Sequence, residues 1–374
     1  MMLLMEKYVA NGENVYLYTY QKPVGLGILG EKINFEILPK IYPTIARRPD
    51  IAFKYTLYPI LICFFKSIFK LKIKKYLVVD QEGLLIFNKI FPSKLKYCNY
   101  ISFEIFIGSE ITNSRQSELK KQEIKLLEKG IYSLLIQGKY RRELFLTEHE
   151  NCNIKNIFYL PVAPAQQVEF METKEIITIP KGKKSIVYSG SLHLWSGIVE
   201  ILEQLKNNWN SDFHLVVHYR FPEYENDVIR IIKDLEKNGY PITLCIKKFE
   251  GTAYYNFLKQ FDAGFATYVS SPKSSYGIDG KNFEVIGLSS GKFNAQMMLG
   301  IPTITTNNNS FIDIYQNYKF GYIISDFAEI KNALTEVSKN AVEMSKEAKR
   351  LYQEVINPDL YIDEYVNMIV EIAN

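Results

Sequence analysis

Short, nearly continuous apolar runs punctuate this chain, and stretches with apolar residues three and four apart lie between them. The runs predict strands over 15–20, 33–38, 75–80, 97–103, 131–137, 157–161, 186–188, 213–219, 242–246, 263–268, 303–306 and 322–325. The stretches between them predict helices over 1–11, 84–90, 117–130, 139–148, 196–208, 225–238, 253–261, 293–299, 326–351 and 357–374. Strands in alternation with helices predict doubly wound α/β architecture with parallel sheets. Pro161, Pro164 and the polar stretch to Lys184 read as a linker. The chain therefore divides into a first Rossmann-like domain at 1–165, a second at 166–356, and a last helix at 357–374 around Pro358. Two such domains in succession have the shape of an enzyme with a cleft. The first domain opens on a helix, so its first strand and glycine-rich turn are expected to be missing. A dinucleotide fingerprint is not expected at Gly25, Gly27 and Gly30, because no convincing helix follows them.

The stretch 287–306, GLSSGKFNAQMMLGIPTITT, has the grammar of loop, helix, tight turn and buried strand. Ser289, Ser290 and Gly291 stand where a helix would begin, and Lys292 adds a charge to its first turn. Gly300 suits the left-handed residue that closes a helix, and Pro302 prevents its resumption. A helix start with free N–H groups, two hydroxyls and a lysine is suited to an anion, here a phosphate or diphosphate. It follows a Ser/Gly/Lys loop at 270–281 that would order over a ligand, with Tyr276, Asp279 and Asn282 as polar contacts to a base or sugar. A plain solvated connection is the alternative for that loop.

Composition narrows this reading only a little. The 374 residues are 47% hydrophobic and 23% charged, as in a globular protein. The net charge of +4 is unevenly placed: residues 1–165 hold 24 Lys and Arg against 15 Asp and Glu, the remainder 21 against 26. No nucleic-acid recognition motif accompanies the basic part. An anionic lipid surface or a phosphorylated acceptor fits it better. The apolar stretch that opens at Ile51 carries Lys54, Pro59 and Lys66, which argue against spanning a bilayer. With the lysines up to Lys75 behind it, the segment 51–75 reads either as a peripheral membrane contact or as a buried helix with a solvated end. Cys63, Cys98, Cys152 and Cys245 form no CxxC pair and are expected as free thiols in a reducing compartment. The N-terminus lacks the pattern of a signal peptide. A cytoplasmic protein, peripheral on the inner membrane face, is the expectation.

The carboxyl ends of parallel strands face ligands. Asp80, Glu82 and Glu104 follow such ends, and each is a candidate general base, with a structural role as the alternative. Glu104 is the first choice because its setting is otherwise apolar. His214 and His218 share one face of a strand, but no further ligands accompany them, so no metal is expected.

The pattern of 185–334 resembles that of GT-B glycosyltransferases, and in particular the bacterial family-four-like enzymes that build surface polysaccharides. Tyr188-Ser189-Gly190-Ser191 matches the family's strand and glycine turn, and Asp262-Ala263-Gly264 the strand entry before the donor loop. Ser289, Ser290, Lys292, Gly300, Pro302 and Thr303 match the donor helix. The resemblance implies a nucleotide-diphosphate sugar as donor substrate, with no separate cofactor, held in the second domain by Gly190, Ser191, Tyr276, Asn282, Ser289, Ser290, Gly291 and Lys292. It implies a saccharide or lipid-linked acceptor at the first domain and a last helix crossing back onto that domain. His193, in the turn near the donor, is read from its position as a further catalytic candidate, with a surface histidine as the alternative. Two glutamates eight positions apart are usual in the family; Gly287 and Ala295 stand there instead. The competing readings are a truncated or non-catalytic nucleotide-sugar binder and a non-hydrolysing nucleotide-sugar epimerase.

Overall fold

A computed structural model describes residues 2–19, 32–37, 76–165, 177–220, 227–249, 251–271 and 277–371. The glycines at 25–30, the segment 51–75 with Cys63, and Tyr276 lie outside the described residues.

The first half begins with α1 (Met2–Ala10) and a parallel pair, β1 (Val15–Thr19) and β2 (Ile33–Ile37). A four-stranded parallel sheet follows: β3 (Tyr76–Val79), α2 (Asp80–Ile90), β4 (Cys98–Ile101), α3 (Ser114–Lys129), β5 (Ile131–Ile136), α4 (Lys139–Glu148) and β6 (Ile154–Tyr159), in the spatial order β3-β4-β5-β6. The second half contains β7 (Lys184–Gly190), α5 (Ile198–Asn207), β8 (Phe213–Tyr219), α6 (Asp227–Lys237), β9 (Ile242–Cys245), α7 (Thr252–Leu258) and β10 (Ala263–Ala266). It continues with a short α8 (Lys281–Glu284), α9 (Gly291–Leu299), β11 (Thr303–Thr306), α10 (Asn309–Asn317), β12 (Gly321–Ile324) and α11 (Ile330–Leu351). The last helix is α12 (Asp359–Glu371).

The second sheet runs β12-β11-β10-β7-β8-β9, all parallel. In chain order this is the Rossmann arrangement, and the strand order reverses between β7 and β10. Its strands β8, β10 and β11 are buried along their length and β7 along most of it, which explains their continuous apolar runs: helices cover both faces. Each face carries its own core, one built on Ile186, Leu215 and Phe265, the other on Val187, Val216 and Phe257. The expectation of two Rossmann-like α/β halves with parallel sheets holds, and the second sheet shows the doubly wound strand order. The last helix returns to the first half: Ile362, Tyr365, Val366 and Ile369 join Leu4, Tyr8, Ile101 and Leu135 in one core, and Lys7 pairs with Asp363 at 2.8 Å.

Several predicted boundaries move for identifiable reasons. Helix α2 starts at Asp80, not at 84; the chain turns directly out of β3 with Asp80 at φ 53, and Gly83 falls inside the helix rather than before it. Ser189 and Gly190, read as a turn, are the last residues of β7, where they pair with His218 and Tyr219. Strand β6 begins at Ile154, upstream of the apolar run. Helix α10 has no counterpart in the periodicity reading, although Asn308 caps it by accepting from Phe311 N at 3.0 Å.

Edge strand β12 approaches β11 very closely at Gly321. A Cβ there would lie 2.0 Å from the Thr303 carbonyl oxygen and 2.5 Å from its nitrogen, backbone atoms that cannot yield. Gly321→Ala is expected to cost about 3 kcal/mol, read as a lowered urea midpoint with an unchanged slope.

Candidate functional site

Helix α9 is placed as its residues dictate. Ser290 caps it by accepting from Phe293 N at 3.1 Å. Gly300, at φ 69, closes it: Gly300 N donates to Met297 O and Ile301 N to Gln296 O, the paired bonds of a Schellman ending. Lys292 to Met297 are all buried, so the helix runs through the core rather than over it. Phe293 locks it between Phe311 and Phe320, at ring distances of 4.7 and 4.9 Å.

The first turn of α9 thereby reaches the carboxyl edge of the second sheet between β7 and β10. Lys292 Nζ lies 4.6 Å from the centre of the Tyr188 ring and 4.4 Å from that of Tyr268, and donates to Thr267 O at 3.2 Å. Among the described residues no carboxylate pairs with it. Burial alone drives its pKa down, to about 7. Gly190, at the end of β7, is beside it: a Cβ there would sit 3.9 Å from Lys292 Cδ. Arg220 follows β8, donates its N–H to Gly190 O at 3.4 Å, and lays its guanidinium 4.7 Å over the Tyr254 ring. Its side chain is exposed, so a second cation stands at the same edge.

The other residues expected at the donor side have mixed placements. Ser191 offers its carbonyl to Tyr188 OH at 2.7 Å. The Ser290 hydroxyl is shared between its capping bond and Tyr268 OH. Ser289 donates to Ile286 O. Gly291 is exposed at the helix start and lies against Val162. His193 is exposed, 6.0 Å from the Trp195 ring, which stacks at 4.4 Å on Phe283. Asn282 is buried, and both ends of its amide are taken: Oδ1 accepts from Arg141 Nη1 at 3.2 Å and Nδ2 donates to Ile105 O. It thus joins the two halves rather than facing an open site. Ala295 is buried in the apolar core with Val187, Val216 and Phe257.

Asp80 and Glu104 do come together at the edge of the first sheet. Asp80 Oδ1 accepts from Phe103 N at 2.6 Å and from Glu104 N at 3.1 Å. Burial raises its pKa, while those two N–H groups and Arg141 lower it. One of its oxygens is committed to holding the turn that carries Glu104. Glu104 itself opens to solvent on one side and is walled by protein on the others. Burial pushes its carboxyl up to about 7, against Arg141, with Asp80 and Asp279 adding to the rise. A carboxyl so placed exchanges a proton near neutral pH. Arg141, not singled out by the sequence reading, is buried in this cluster and donates to Phe103 O at 2.6 Å. His214 and His218 bond to Thr243 Oγ1 and Lys247 O, and no described group of three or more His, Cys, Asp and Glu converges to hold a metal.

No protein-family model matches this chain, and no curated protein matches it in sequence. Solved structures do match it in shape. Sucrose-phosphate synthase from Thermosynechococcus elongatus superposes with a TM-score of 0.71 at 10% identity, covering 99% of this chain and 92% of that one. HepE from Anabaena, solved with UDP-glucose, gives 0.67 at 9% identity over 99% and 94%. A glycosyltransferase from Rickettsia africae gives 0.66 at 11% identity over 99% and 93%. Likeness at these identities is a likeness of fold: two Rossmann-like halves in the GT-B arrangement.

Proposed function

We propose that the protein is a glycosyltransferase that takes a sugar from a nucleotide-diphosphate donor and passes it to a saccharide or lipid-linked acceptor. The observation that carries this reading is Lys292: a buried amine with no carboxylate partner among the described residues, at a helix start, at the point where the strand order of a Rossmann sheet reverses. That point is where open α/β sheets bind ligands. The diphosphate would lie over Gly190, against the free N–H groups that open α9 and within reach of the Lys292 ammonium once it leaves Thr267 O. Charge developing on the departing nucleoside diphosphate would be met by these fixed dipoles and by Lys292, with Arg220 alongside. Glu104, across the cleft, would take the proton of the acceptor hydroxyl. In this reading protein cations do what a metal does elsewhere, and the basic segment 51–75 brings the enzyme to an anionic membrane face, in the synthesis of cell-surface polysaccharide.

The depressed pKa of Lys292 supplies the first test. A bound diphosphate favours the ammonium and raises that pKa. At pH 8 the free protein holds Lys292 mostly neutral, so binding takes up about one proton; at pH 6 the proton is already there and uptake vanishes. Calorimetric titration with UDP and UDP-glucose, in two buffers of different ionisation enthalpy, measures this directly. No affinity for either ligand or for the other nucleoside diphosphates would sink the proposal. A second reading, a nucleotide-sugar binder without transfer activity, is favoured by Ala295, which leaves no carboxylate on α9 to hold a sugar. Binding with proton uptake but no sugar release would select it.

A further inference from the structure

The peptide unit between Phe103 and Glu104 is gripped from both sides. Its carbonyl accepts from Arg141 Nη2 at 2.6 Å, and its N–H donates to Asp80 Oδ1 at 3.1 Å. That unit fixes the direction in which Glu104 leaves the backbone. The residues around it are held too, with Gln137 Nε2 donating to Ser102 O at 2.8 Å. Ser102 Oγ donates to Glu104 O at 3.2 Å, and further bonds to this segment come from the opposite half of the molecule. Asn282 Nδ2 donates to Ile105 O, Ile107 N donates to Gly277 O at 2.8 Å, and Lys281 N donates to Glu110 Oε1 at 2.9 Å. Arg141 spans both sets, with one nitrogen on Phe103 O and the other on Asn282 Oδ1.

We propose that Arg141 and Asn282 form a clasp in which the second half completes the turn that presents Glu104, making both of them positioning residues for that carboxylate. The clasp explains why a buried arginine lies beside Glu104 without a salt bridge to it: its fork is used on two oxygens of neutral groups, one in each half. It also explains the charge environment of Glu104. Asp80 faces it from the start of α2, Arg141 from α4, and Asp279 from the 277–284 segment of the other half. Two of its three charged neighbours belong to the first half and one arrives with the clasp. The part of this inference that makes Glu104 a base rests on the transferase reading; the clasp itself does not.

The experiment is a carboxyl titration by NMR on protein carrying 13C-labelled glutamate, with the Glu104 signal identified by its loss in Glu104→Gln. The wild type is expected to titrate close to pH 7. Asn282→Ala removes the far anchor, so the wall carrying Asp279 draws off, and the midpoint should fall by about one unit or more. Arg141→Met breaks the clasp and also removes the cation that opposes the shift, so its midpoint should lie above that of Arg141→Lys. Arg141→Lys keeps the charge but lacks the fork that reaches two oxygens at once, and should behave like Asn282→Ala rather than like the wild type. A Glu104 midpoint unmoved by Asn282→Ala, or wild-type behaviour of Arg141→Lys, overturns the clasp. If Arg141→Met does not fold, the other two variants decide. Transfer activity is read separately: a fully active Glu104→Gln removes the base role from the functional reading and leaves the clasp standing, because the titration reports on it without any turnover.

Discussion

Lys292→Met is expected to stabilise the folded protein and, in the same molecule, to weaken nucleoside-diphosphate binding by about 10- to 100-fold, the worth of one charge-assisted contact in a sheltered site. The stabilisation follows from the burial of Lys292. Its ordinary pKa is 10.5 and its folded value is about 7. Between those two values the unfolded chain holds a proton that the folded protein has released, so wild-type stability rises with pH across that window. Below pH 7 the folded protein must carry the buried charge, at a cost on the order of a few kcal/mol. Methionine removes that cost while keeping the stem that packs between Tyr188 and Tyr268. The advantage of Lys292→Met should be largest at pH 6 to 7 and should fade towards pH 10.5. Urea unfolding at three pH values measures it, and titration with UDP measures the loss. Unchanged affinity would remove Lys292 from the binding site. A destabilised variant would mean that the two tyrosine faces hold the ammonium more strongly than burial repels it.

Glu123→Gln is expected to be the most damaging conservative substitution in the first half, at about 3–5 kcal/mol. Glu123 is buried, and its Oε1 accepts from Tyr100 OH at 2.8 Å. Its Oε2 accepts from Gln81 Nε2 at 3.1 Å and from Lys120 Nζ at 3.2 Å, with His149 Nε2 at 3.3 Å. Gln116 extends the network to Gln81, and His149 Nδ1 donates to Phe145 O. Burial alone would raise the Glu123 pKa, but His149, Lys120 and Tyr100 hold it down at about 2. The stability it contributes is therefore present at neutral pH and lost only as the pH falls below its unfolded value of 4.5 towards 2. Gln in its place leaves the Lys120 ammonium buried beside His149 with no counter-charge. The double variant Lys120→Met with Glu123→Leu should recover most of the loss, because replacing both partners by apolar side chains leaves no uncompensated buried charge. Urea midpoints of the single and double variants test this. A double variant no better than the single would show that the hydrogen bonds to Tyr100 and Gln81, and not the ion pair, carry the effect.

What the sequence revealed was what is encoded locally. The cap at Ser290, the stop at Gly300 and Pro302, and the strand that follows involve residues a few positions apart, and all three are present where the pattern put them. The Rossmann alternation was legible for the same reason. Partners distant in the chain were not. Asn282 read as a polar residue in a loop beside the donor; its bonds go to Ile105 and Arg141, and nothing near it in sequence points there. Asp80 was correctly placed at a strand end, yet whether its oxygens are open or tied to backbone N–H groups depends on Phe103 and Glu104, a strand away. Arg220 had a usable signal, a cation directly after the apolar run of β8. Arg141 lies in the first turn of α4, like many surface arginines, and only the packing of two halves buries it. Helix α10 was missed because an asparagine run looks like a loop, and its cap at Asn308 is the cue that distinguishes it.

The return of α12 to the first half has a consequence for how the chain folds on the ribosome. The surface that Leu4, Ile101 and Leu135 present is finished only by Ile362, Tyr365, Val366 and Ile369, more than two hundred residues beyond the nearest of them. The first half therefore leaves the exit tunnel with one face of its sheet unfinished and waits, at about 5–20 residues per second, through synthesis of the whole second half. During that interval an apolar surface is open to wrong partners. The second half, whose buried core residues all lie within 186–356, can settle as soon as it emerges. The half synthesised first is thus the one that matures last.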